Sequence, residues 1–195
     1  MEQLLTTCLY DRHISLNAQM SPFGGFMMPI QYSSITNEHI AVRTKAGMFD
    51  VSHMGEIFVS GPDVEKFVNH IFSNDIRGMH PGKVLYGMML YPQGTVVDDL
   101  LVYKEFEAGH FLLVVNASNI SKDYDWICSQ AEGYDVKVEN ASAVWGEIAL
   151  QGPLAEKIAV EALGLDKVRE LGFYTYAEME WKGDRMIVSR TGYTG

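Results

Sequence analysis

The chain contains little cysteine. Only Cys8 and Cys128 occur among its 195 residues, and neither belongs to a Cys-x-x-Cys pair. Two isolated cysteines cannot build the disulfide framework of a small secreted domain, and they do not form a thiol pair of the kind that binds zinc or exchanges disulfides. This usage favours a reducing cytosol, so we expect a cytoplasmic protein.

Positive charge and long apolar runs are also scarce. The 15 lysines and arginines are outnumbered by 25 aspartates and glutamates, which gives a net charge of −10. An acidic chain of this kind cannot neutralise a run of phosphates, so we expect no nucleic-acid partner. No window approaches the roughly 18 apolar residues of a membrane span, and Glu2 precedes any basic residue, unlike in a signal peptide. We therefore expect no membrane partner.

Several familiar site motifs are missing. The six histidines show neither His-x-x-x-His nor His-Glu-x-x-His spacing, so no metal site is predicted. Gly82-Lys83 is similar to the end of a phosphate loop, but Arg77 stands where that loop has glycine and Val84 where it has serine or threonine. Because Gly-x-Gly-x-x-Gly does not occur, a nucleotide-binding Rossmann unit is not supported.

The chain does contain short strands and amphipathic helices. Apolar residues at helical spacing from Val64 to Phe72 predict one strong helix, and Pro92-Gln93-Gly94 predicts a type II turn. Other helices are predicted over residues 34–46, 121–131 and 153–163. Strands are predicted over residues 84–91, 95–104, 110–116, 134–139, 145–151, 174–181 and 185–189, the first three as antiparallel neighbours. Because helices and strands cluster instead of alternating strictly, we expect an α+β fold with mixed, mainly antiparallel sheets and flanking helices.

Asp98 and Asp99 interrupt a run of strand-forming residues, Val96-Val97 before them and Leu100-Leu101-Val102 after. Side chains alternate along a strand, so the two carboxylates should point to opposite faces, and at most one should serve a given pocket. A carboxylate that points inward must meet donors, a cation or a ligand, because burying it alone is costly. The alternative is a bulge or edge strand in which both acids are solvated.

Three segments carry a family resemblance. Residues 49–56 read Phe-Asp-Val-Ser-His-Met-Gly-Glu, residues 94–100 read Gly-Thr-Val-Val-Asp-Asp-Leu, and residues 190–195 read Arg-Thr-Gly-Tyr-Thr-Gly. In this order and spacing they resemble the landmarks of the aminomethyltransferase family, the folate-using T component of the glycine cleavage system. Segments 23–32, 114–117 and 150–153 also resemble that family, with Gly24 and Phe26 as departures. The chain ends inside the last motif, so we expect the front half of a longer protein.

The resemblance implies a fold of three domains around a central hole that takes tetrahydrofolate. For this chain it implies two interleaved domains, residues 1–54 with 140–195 and residues 55–139, with the C-terminal part of the fold absent. It also implies that Asp99 is the catalytic residue. The implied folate-contacting residues are Met54, Tyr86, Tyr103, Asn116, Tyr174 and Tyr193. Aromatic rings and methionine suit a flat ring system, and an asparagine offers its edge both a donor and an acceptor.

The resemblance further implies the reaction. In the family, an aminomethyl group on the dihydrolipoyl arm of a carrier, the lipoylated H protein, loses ammonia, and its one-carbon unit passes to tetrahydrofolate. An ionised Asp99 would either stabilise positive charge on that path or orient and deprotonate a folate nitrogen. A folate-dependent demethylase relative and a non-catalytic folate-binding protein are the alternatives. The family's later glutamate and arginines would lie beyond Gly195, so the activity of these residues alone stays open.

Overall fold

The computed structural model describes residues 4–105 and 107–192 and has the predicted α+β fold with antiparallel sheets. In chain order, its main elements are α1 (Tyr10–Ser15), β1 (Gln19–Phe23), β2 (Phe26–Gln31), α2 (Ile35–Thr44), β3 (Gly47–Asp50), β4 (Gly55–Ser60), α3 (Val64–Ile71), β5 (Val84–Leu90), β6 (Val96–Lys104), β7 (His110–Val115), α4 (Ile120–Gln130), β8 (Lys137–Asn140), β9 (Ile148–Gln151), α5 (Ala155–Leu163), β10 (Tyr176–Trp181) and β11 (Asp184–Ser189). Short 3₁₀ helices lie at Ala117–Asn119 and Asp166–Glu170.

Two compact units make up the chain. The first unit comprises Met1–His53, Gly146–Gly172 and Ala177–Gly195, and the second comprises Met54–Trp145 and Phe173–Tyr176. The domain division expected from the sequence, in which residues 1–54 pack with 140–195 and residues 55–139 pack as a second unit, stays a prediction.

The second unit is built on a five-stranded sheet. Its strands lie in the order β5-β6-β7-β4-β8, and every pairing is antiparallel. The prediction that β5, β6 and β7 are antiparallel neighbours is therefore confirmed. Val115, the last residue of β7, pairs with Gly55 of β4 on one side and with Leu100 of β6 on the other. Asn116, the next residue, consequently lies between the start of β4 and the middle of β6.

Helices α3 and α4 pack on one face of this sheet. The apolar stripe predicted for α3 is buried, with Phe67 and Val68 fully so, and Ile127 of α4 joins the same core. Burying a large apolar side chain contributes about 1.5–3 kcal/mol relative to leaving it exposed. This core is consequently the main source of stability in the second unit, and it leaves the opposite face of the sheet for other contacts.

The connection between β5 and β6 differs from the predicted type II turn. Gly94 N donates to Tyr91 O at 2.8 Å, which closes the turn, and the left-handed residue is Gly94, with φ of 86°. A type II turn would need positive φ at Gln93 instead, so that prediction is wrong. A shift in the pairing of β5 and β6 follows next to this turn. This is a β-bulge, and it lies directly before the aspartate pair.

The first unit has three two-stranded sheets, β1-β2, β3-β9 and β10-β11. Helix α2 begins after Ser34, whose side chain accepts a hydrogen bond from Asn37 N. Helix α5 ends at Gly164, which has a left-handed φ of 71°. A small buried apolar cluster lies beside α5 and consists of Ala159, Leu165 and Val168.

A buried polar network also lies in the first unit, and the sequence did not predict it. His13 Nε2 is 2.8 Å from Asp50 Oδ2, and its Nδ1 is 2.7 Å from Tyr32 OH. Burial would raise the pKa of Asp50, but hydrogen bonds from His13, Thr7 and Ser52 outweigh it and lower the pKa. The ionised carboxylate thereby joins α1 to β3.

Most predicted helices and strands are present with shifted ends. Helix α1 and strands β1 to β4 were not predicted. Of these, strand β4 lies beside β7 and begins directly after Met54.

Candidate functional site

One face of the five-stranded sheet carries three of the residues that the sequence singled out, Tyr86, Asp99 and Tyr103. Neighbours along a strand point to opposite faces, whereas residues paired across a ladder share a face. Leu100 and Val102 belong to the core under α3 and α4, so the alternate residues of β6 point away from the helices. We call the side away from the helices the site face. It carries Tyr86 and Met88 from β5 and Asp99, Leu101 and Tyr103 from β6.

Asp99 is the carboxylate of the site face. Tyr86 OH donates to its Oδ2 at 3.1 Å, and Asn116 Nδ2 donates to its Oδ1 at 3.1 Å. The hydrogen bond to Asp99 and the negative charge of that residue raise the pKa of Tyr86, so the phenol stays protonated and keeps donating. Three of the residues singled out from sequence are thereby joined in one hydrogen-bonded group.

Asp98 points to the other face and is only 7% exposed. The alternative in which both acids are solvated is therefore wrong. Its Oδ1 accepts from Asp99 N and Asn116 Nδ2, and its Oδ2 accepts from Asn119 Nδ2, each at 3.0 Å. Burial alone would raise the pKa of Asp98, but hydrogen bonds from Asp123, Asn119 and Asn116 outweigh it and hold the pKa below its usual value.

The side-chain amide of Asn116 connects the two aspartates. Its Nδ2 lies 3.0 Å from Asp98 Oδ1, 3.1 Å from Asp99 Oδ1 and 3.2 Å from Asp99 O. These acceptors fix the orientation of the amide, since Oδ1 in that place would meet acceptors only. No residue in the described part of the chain donates to Asn116 Oδ1. The Nδ2 hydrogens of Asn116 thus face the two aspartates, and Oδ1 is the part of the amide that is left to accept a hydrogen bond.

Met54 lies at the same end of the sheet. The next residue, Gly55, pairs with Val115, so half-buried Met54 lies beside Asn116. A Cβ atom on Gly55 would come within 2.7 Å of Ile120 Cγ1 and 2.8 Å of Val115 Cγ2. Glycine at this position thus allows β4 to begin close to α4, and it fixes where Met54 sits.

Tyr103 and Tyr174 lie farther from Asn116. The Tyr103 ring is buried edge-on against Tyr176, with 5.3 Å between ring centroids. Tyr174 has a left-handed φ of 57°, and its carbonyl accepts from Val84 N at 3.0 Å. It also lies close enough to Tyr86 to contribute, as a smaller cause, to the raised pKa of that phenol. Tyr193, the last residue expected to contact folate, lies outside the described residues.

Three further residues belong to this region and were not predicted. Tyr176 is buried, and its OH donates to Lys104 O at 2.8 Å. Asn119 and Asp123 are four residues apart at the start of α4, a spacing that puts both on one side of a helix. That spacing was the available signal in the sequence. It does not tell which strand the helix meets, so the contact with Asp98 could not be foreseen.

The chemical groups available at the site face are the Asp99 carboxylate, the Tyr86 phenol and the Asn116 carbonyl. Over residues 4–105 and 107–192, no group of three or more His, Cys, Asp or Glu side chains is arranged to hold a metal ion. Within the same ranges, no helix has both the length and the apolar character needed to cross a membrane. Cys8 and Cys128 are both free.

Comparisons with known proteins agree with the family resemblance. The model of the GCVT N-terminal domain family matches residues 9–195. The aminomethyltransferase of Moorella thermoacetica is 48% identical over 195 residues, which are 100% of this chain and 53% of that protein. The aminomethyltransferase of Lysinibacillus sphaericus is 46% identical, over 99% of this chain and 52% of that protein. The chain thus spans about half the length of the curated relatives it matches.

Solved structures give the same answer for the fold. Glycine cleavage system aminomethyltransferase T from Bartonella henselae superposes with a TM-score of 0.90 at 32% identity, covering 98% of this chain and 51% of that chain. Heterotetrameric sarcosine oxidase from Corynebacterium sp. U-96 reaches a TM-score of 0.56 at 14% identity over 80% of this chain and 77% of that chain, a likeness that shows the fold alone. By sequence match and by fold, the chain belongs to the GCVT N-terminal domain family.

Proposed function

We propose that the protein is a tetrahydrofolate-dependent aminomethyltransferase of a glycine cleavage system. It moves a one-carbon unit from the aminomethyl-dihydrolipoyl group of the H protein to tetrahydrofolate and releases ammonia. The observation that carries the proposal is the Asp99 carboxylate, held on the site face between Tyr86 OH and the Asn116 amide. Family membership and the names of the most similar relatives support the same reaction.

The residues of the site face fit a flat heterocycle. Tyr86 is 51% exposed and Met88 is 39% exposed, so both offer apolar surface close to Asp99. Aromatic rings and thioethers pack favourably against planar rings. The Asp99 carboxylate and Asn116 Oδ1 are acceptors, which suits N–H groups along the edge of such a ring. The proposed folate-contacting set is Met54, Tyr86, Tyr103, Asn116, Tyr174 and Tyr193.

Asp99 has the catalytic role in this proposal. Bound tetrahydrofolate supplies the nitrogen nucleophile that accepts the one-carbon unit. A fixed carboxylate beside that nitrogen either stabilises positive charge that develops as ammonia leaves or takes a proton from the attacking nitrogen. Both roles need an ionised carboxylate that does not move, and the hydrogen bonds from Tyr86 and Asn116 hold Asp99 in place.

The proposed partner is the lipoylated H protein, and the proposed compartment is the cytoplasm. The acidic balance of the chain is unsuited to nucleic acid. Its two free cysteines are compatible with a reducing compartment.

The test is Asp99→Asn in the complete protein, assayed with aminomethylated H protein and tetrahydrofolate. We expect kcat to fall by roughly tenfold or more, because a charge that acts in the transition state is removed. The folate dissociation constant should change far less. Asp125→Asn is the matched control, since it makes the same change at an exposed position of α4.

Two outcomes would contradict the proposal. Wild-type turnover by Asp99→Asn would remove Asp99 from the catalytic role. Activity with dimethylglycine or sarcosine, and none with aminomethylated H protein, would assign the chain to the demethylating relatives.

A further inference from the structure

Asp123 is a buried carboxyl group that the proposed reaction does not use. It is 0% exposed, and neither of its oxygens accepts a well-aligned hydrogen bond from a described residue. Lys122 Nζ lies 3.4 Å from Asp123 Oδ1, but its short hydrogen bond, at 2.6 Å, goes to Val97 O. A carboxylate in this position would be expensive to keep ionised.

The neighbour of Asp123 is Asp98. Asn119, four residues before Asp123 and on the same side of α4, donates to Asp98 Oδ2 at 3.0 Å, and each of the two aspartates shifts the pKa of the other. Two carboxylates in contact cannot both ionise without strong repulsion, so they share a proton. Asp98 accepts hydrogen bonds from Asp99 N, Asn116 and Asn119, whereas Asp123 accepts none of this kind. The proton therefore belongs on Asp123, where its O–H becomes one more donor to Asp98.

We propose that Asp123 holds a proton at neutral pH and donates it to Asp98, and that this carboxyl pair positions Asn116 and, through it, Asp99. The placement of the proton stands on the burial of Asp123 and on the hydrogen-bond donors that Asp98 has and Asp123 lacks. The positioning role rests on the proposed function, because that function gives Asp99 its contact with the substrate.

The chain of contacts is short. Asp98 Oδ1 accepts from Asn116 Nδ2 at 3.0 Å, and the same nitrogen donates to Asp99 Oδ1 at 3.1 Å. If Asp123 loses its proton, two adjacent carboxylates repel each other, and the acceptor that holds the Asn116 amide is displaced. Asp99 then loses one of its two side-chain donors. Asp123 and Asp98 are accordingly positioning residues.

The pair gives stability a definite pH dependence. Burial, the hydrogen bond to Asp98 and the charge of Asp98 raise the pKa of Asp123 from 3.8 to about 8. The charged groups that face it are Asp98 from β6 and Lys122 from its own helix, and the lysine opposes the shift. Because the folded-state pKa is raised, the stability that the proton contributes is fully present below pH 3.8 and is lost as the pH rises through about 8.

The first experiment locates the proton without any assay of activity. The complete protein is labelled with ¹³C at the aspartate carboxyl carbons, and their NMR signals are followed from pH 4 to pH 9. We expect one signal to titrate near pH 8, to vanish in Asp123→Asn and to persist in the matched variant Asp125→Asn. A spectrum in which no aspartate signal titrates above about pH 6 would overturn the shared proton.

The second experiment tests positioning. In Asp123→Asn the amide can still donate to Asp98, so kcat/KM should stay within a few-fold of wild type, and its decline between pH 6 and pH 9 should become weaker. In Asp123→Ala the donor is gone, and kcat should fall about tenfold or more, as expected for a displaced catalytic group. Retention by asparagine and loss by alanine would support the proposal, whereas equal losses would overturn it.

The variant Ile127→Ala distinguishes a loss of stability from a loss of positioning. It leaves a cavity in the core one turn further along α4, where Ile127 is fully buried. If Ile127→Ala loses as much stability as Asp123→Ala but keeps kcat, positioning is supported. If both variants lose kcat together, positioning is wrong. The two proposals also fail differently, because wild-type turnover by Asp99→Asn would remove the proposed function while the carboxyl titration would remain.

Discussion

Asn116 donates a hydrogen bond to each of two carboxylates, Asp98 and Asp99. Replacing Asn116 by aspartate would remove this donor and place a third carboxylate beside them. The amide nitrogen now lies 3.0 Å from Asp98 Oδ1 and 3.1 Å from Asp99 Oδ1. We expect Asn116→Asp to lose roughly 1–3 kcal/mol of unfolding free energy at pH 8, and to recover part of it at pH 5 as a proton is taken up. Urea unfolding at the two pH values measures this.

Asn116→Ala is the matched variant for that comparison. It removes the donor without adding a charge, so its loss of stability should vary less with pH. If the two variants show the same pH dependence, the direction of the Asn116 amide inferred from its three acceptors is wrong.

The sequence located single residues of the site better than it located their partners. Alternation along β6 correctly separated Asp98 from Asp99. The resemblance singled out Tyr86 and Asn116, which the structure joins to Asp99. Asp123 could not be predicted, because its importance comes from a contact between a helix and a strand that are distant in the chain. Local patterns do not encode such contacts.

Among the strands, β4 can lie close to α4 and β7 only because its first residue, Gly55, has no side chain. A Cβ at Gly55 would lie 2.7 Å from Ile120 and 2.8 Å from Val115. We therefore expect Gly55→Ala to push β4 away from α4 and to destabilise the protein by about 1–3 kcal/mol. The measurement is the urea midpoint, with binding of tetrahydrofolate to the complete protein as a second readout, since Met54 would move as well.

Gly172→Ala is the control for this substitution. A Cβ at Gly172 would meet no atom within 4 Å, and no left-handed φ strains that position. Equal midpoints for Gly55→Ala and wild type would show that Ile120 and Val115 move aside without cost.

Elements with a strong local pattern were predicted well, and those without one were missed. The apolar stripe of α3 defines a helix in any context, and short connections define β5, β6 and β7 as neighbours. Strands β1 and β2 contain Pro22 and Pro29, which argue against a central strand, and they form a two-stranded sheet. The turn at Pro92 forms, but its left-handed residue is Gly94 at the fourth position, whereas a type II turn needs a left-handed Gln93 at the third.

At the scale of the whole molecule, the two units should differ in stability. The largest fully buried side chains, among them Phe67, Phe111 and Ile57, all lie in the second unit. The first unit relies on two-stranded sheets, which are marginal without further packing. With increasing urea, we expect amides of β3 and β9 to lose protection before those of β4, β6 and β7.

Hydrogen exchange followed by mass spectrometry resolves this difference. If residues 55–139 lose protection together, and at a different urea concentration from residues 1–54 and 140–195, the domain division expected from the sequence is supported. A single transition for all strands would contradict it.

Tetrahydrofolate should bind these 195 residues weakly. The site face is open to solvent, since Tyr86 is 51% exposed. Polar interactions that remain exposed to water contribute little to binding free energy. Association also costs on the order of 4–15 kcal/mol before any affinity appears. Titration calorimetry with tetrahydrofolate measures the affinity. The same titration of Asp99→Asn shows whether the binding heat comes from the site face. Micromolar or tighter binding would contradict the expectation.

The outer edge of β5 has a consequence for synthesis on the ribosome. Ser73 N donates to Met88 O at 2.8 Å near one end of β5, and Tyr174 O accepts from Val84 N at 3.0 Å at the other. The first contact comes from residues translated just before β5, but the second comes from residues translated much later. While the nascent chain waits for them, Val84 keeps an unpaired backbone group that can join a strand of a neighbouring nascent chain. A translational pause before residue 173 would therefore favour pairing between polypeptides on the same polysome.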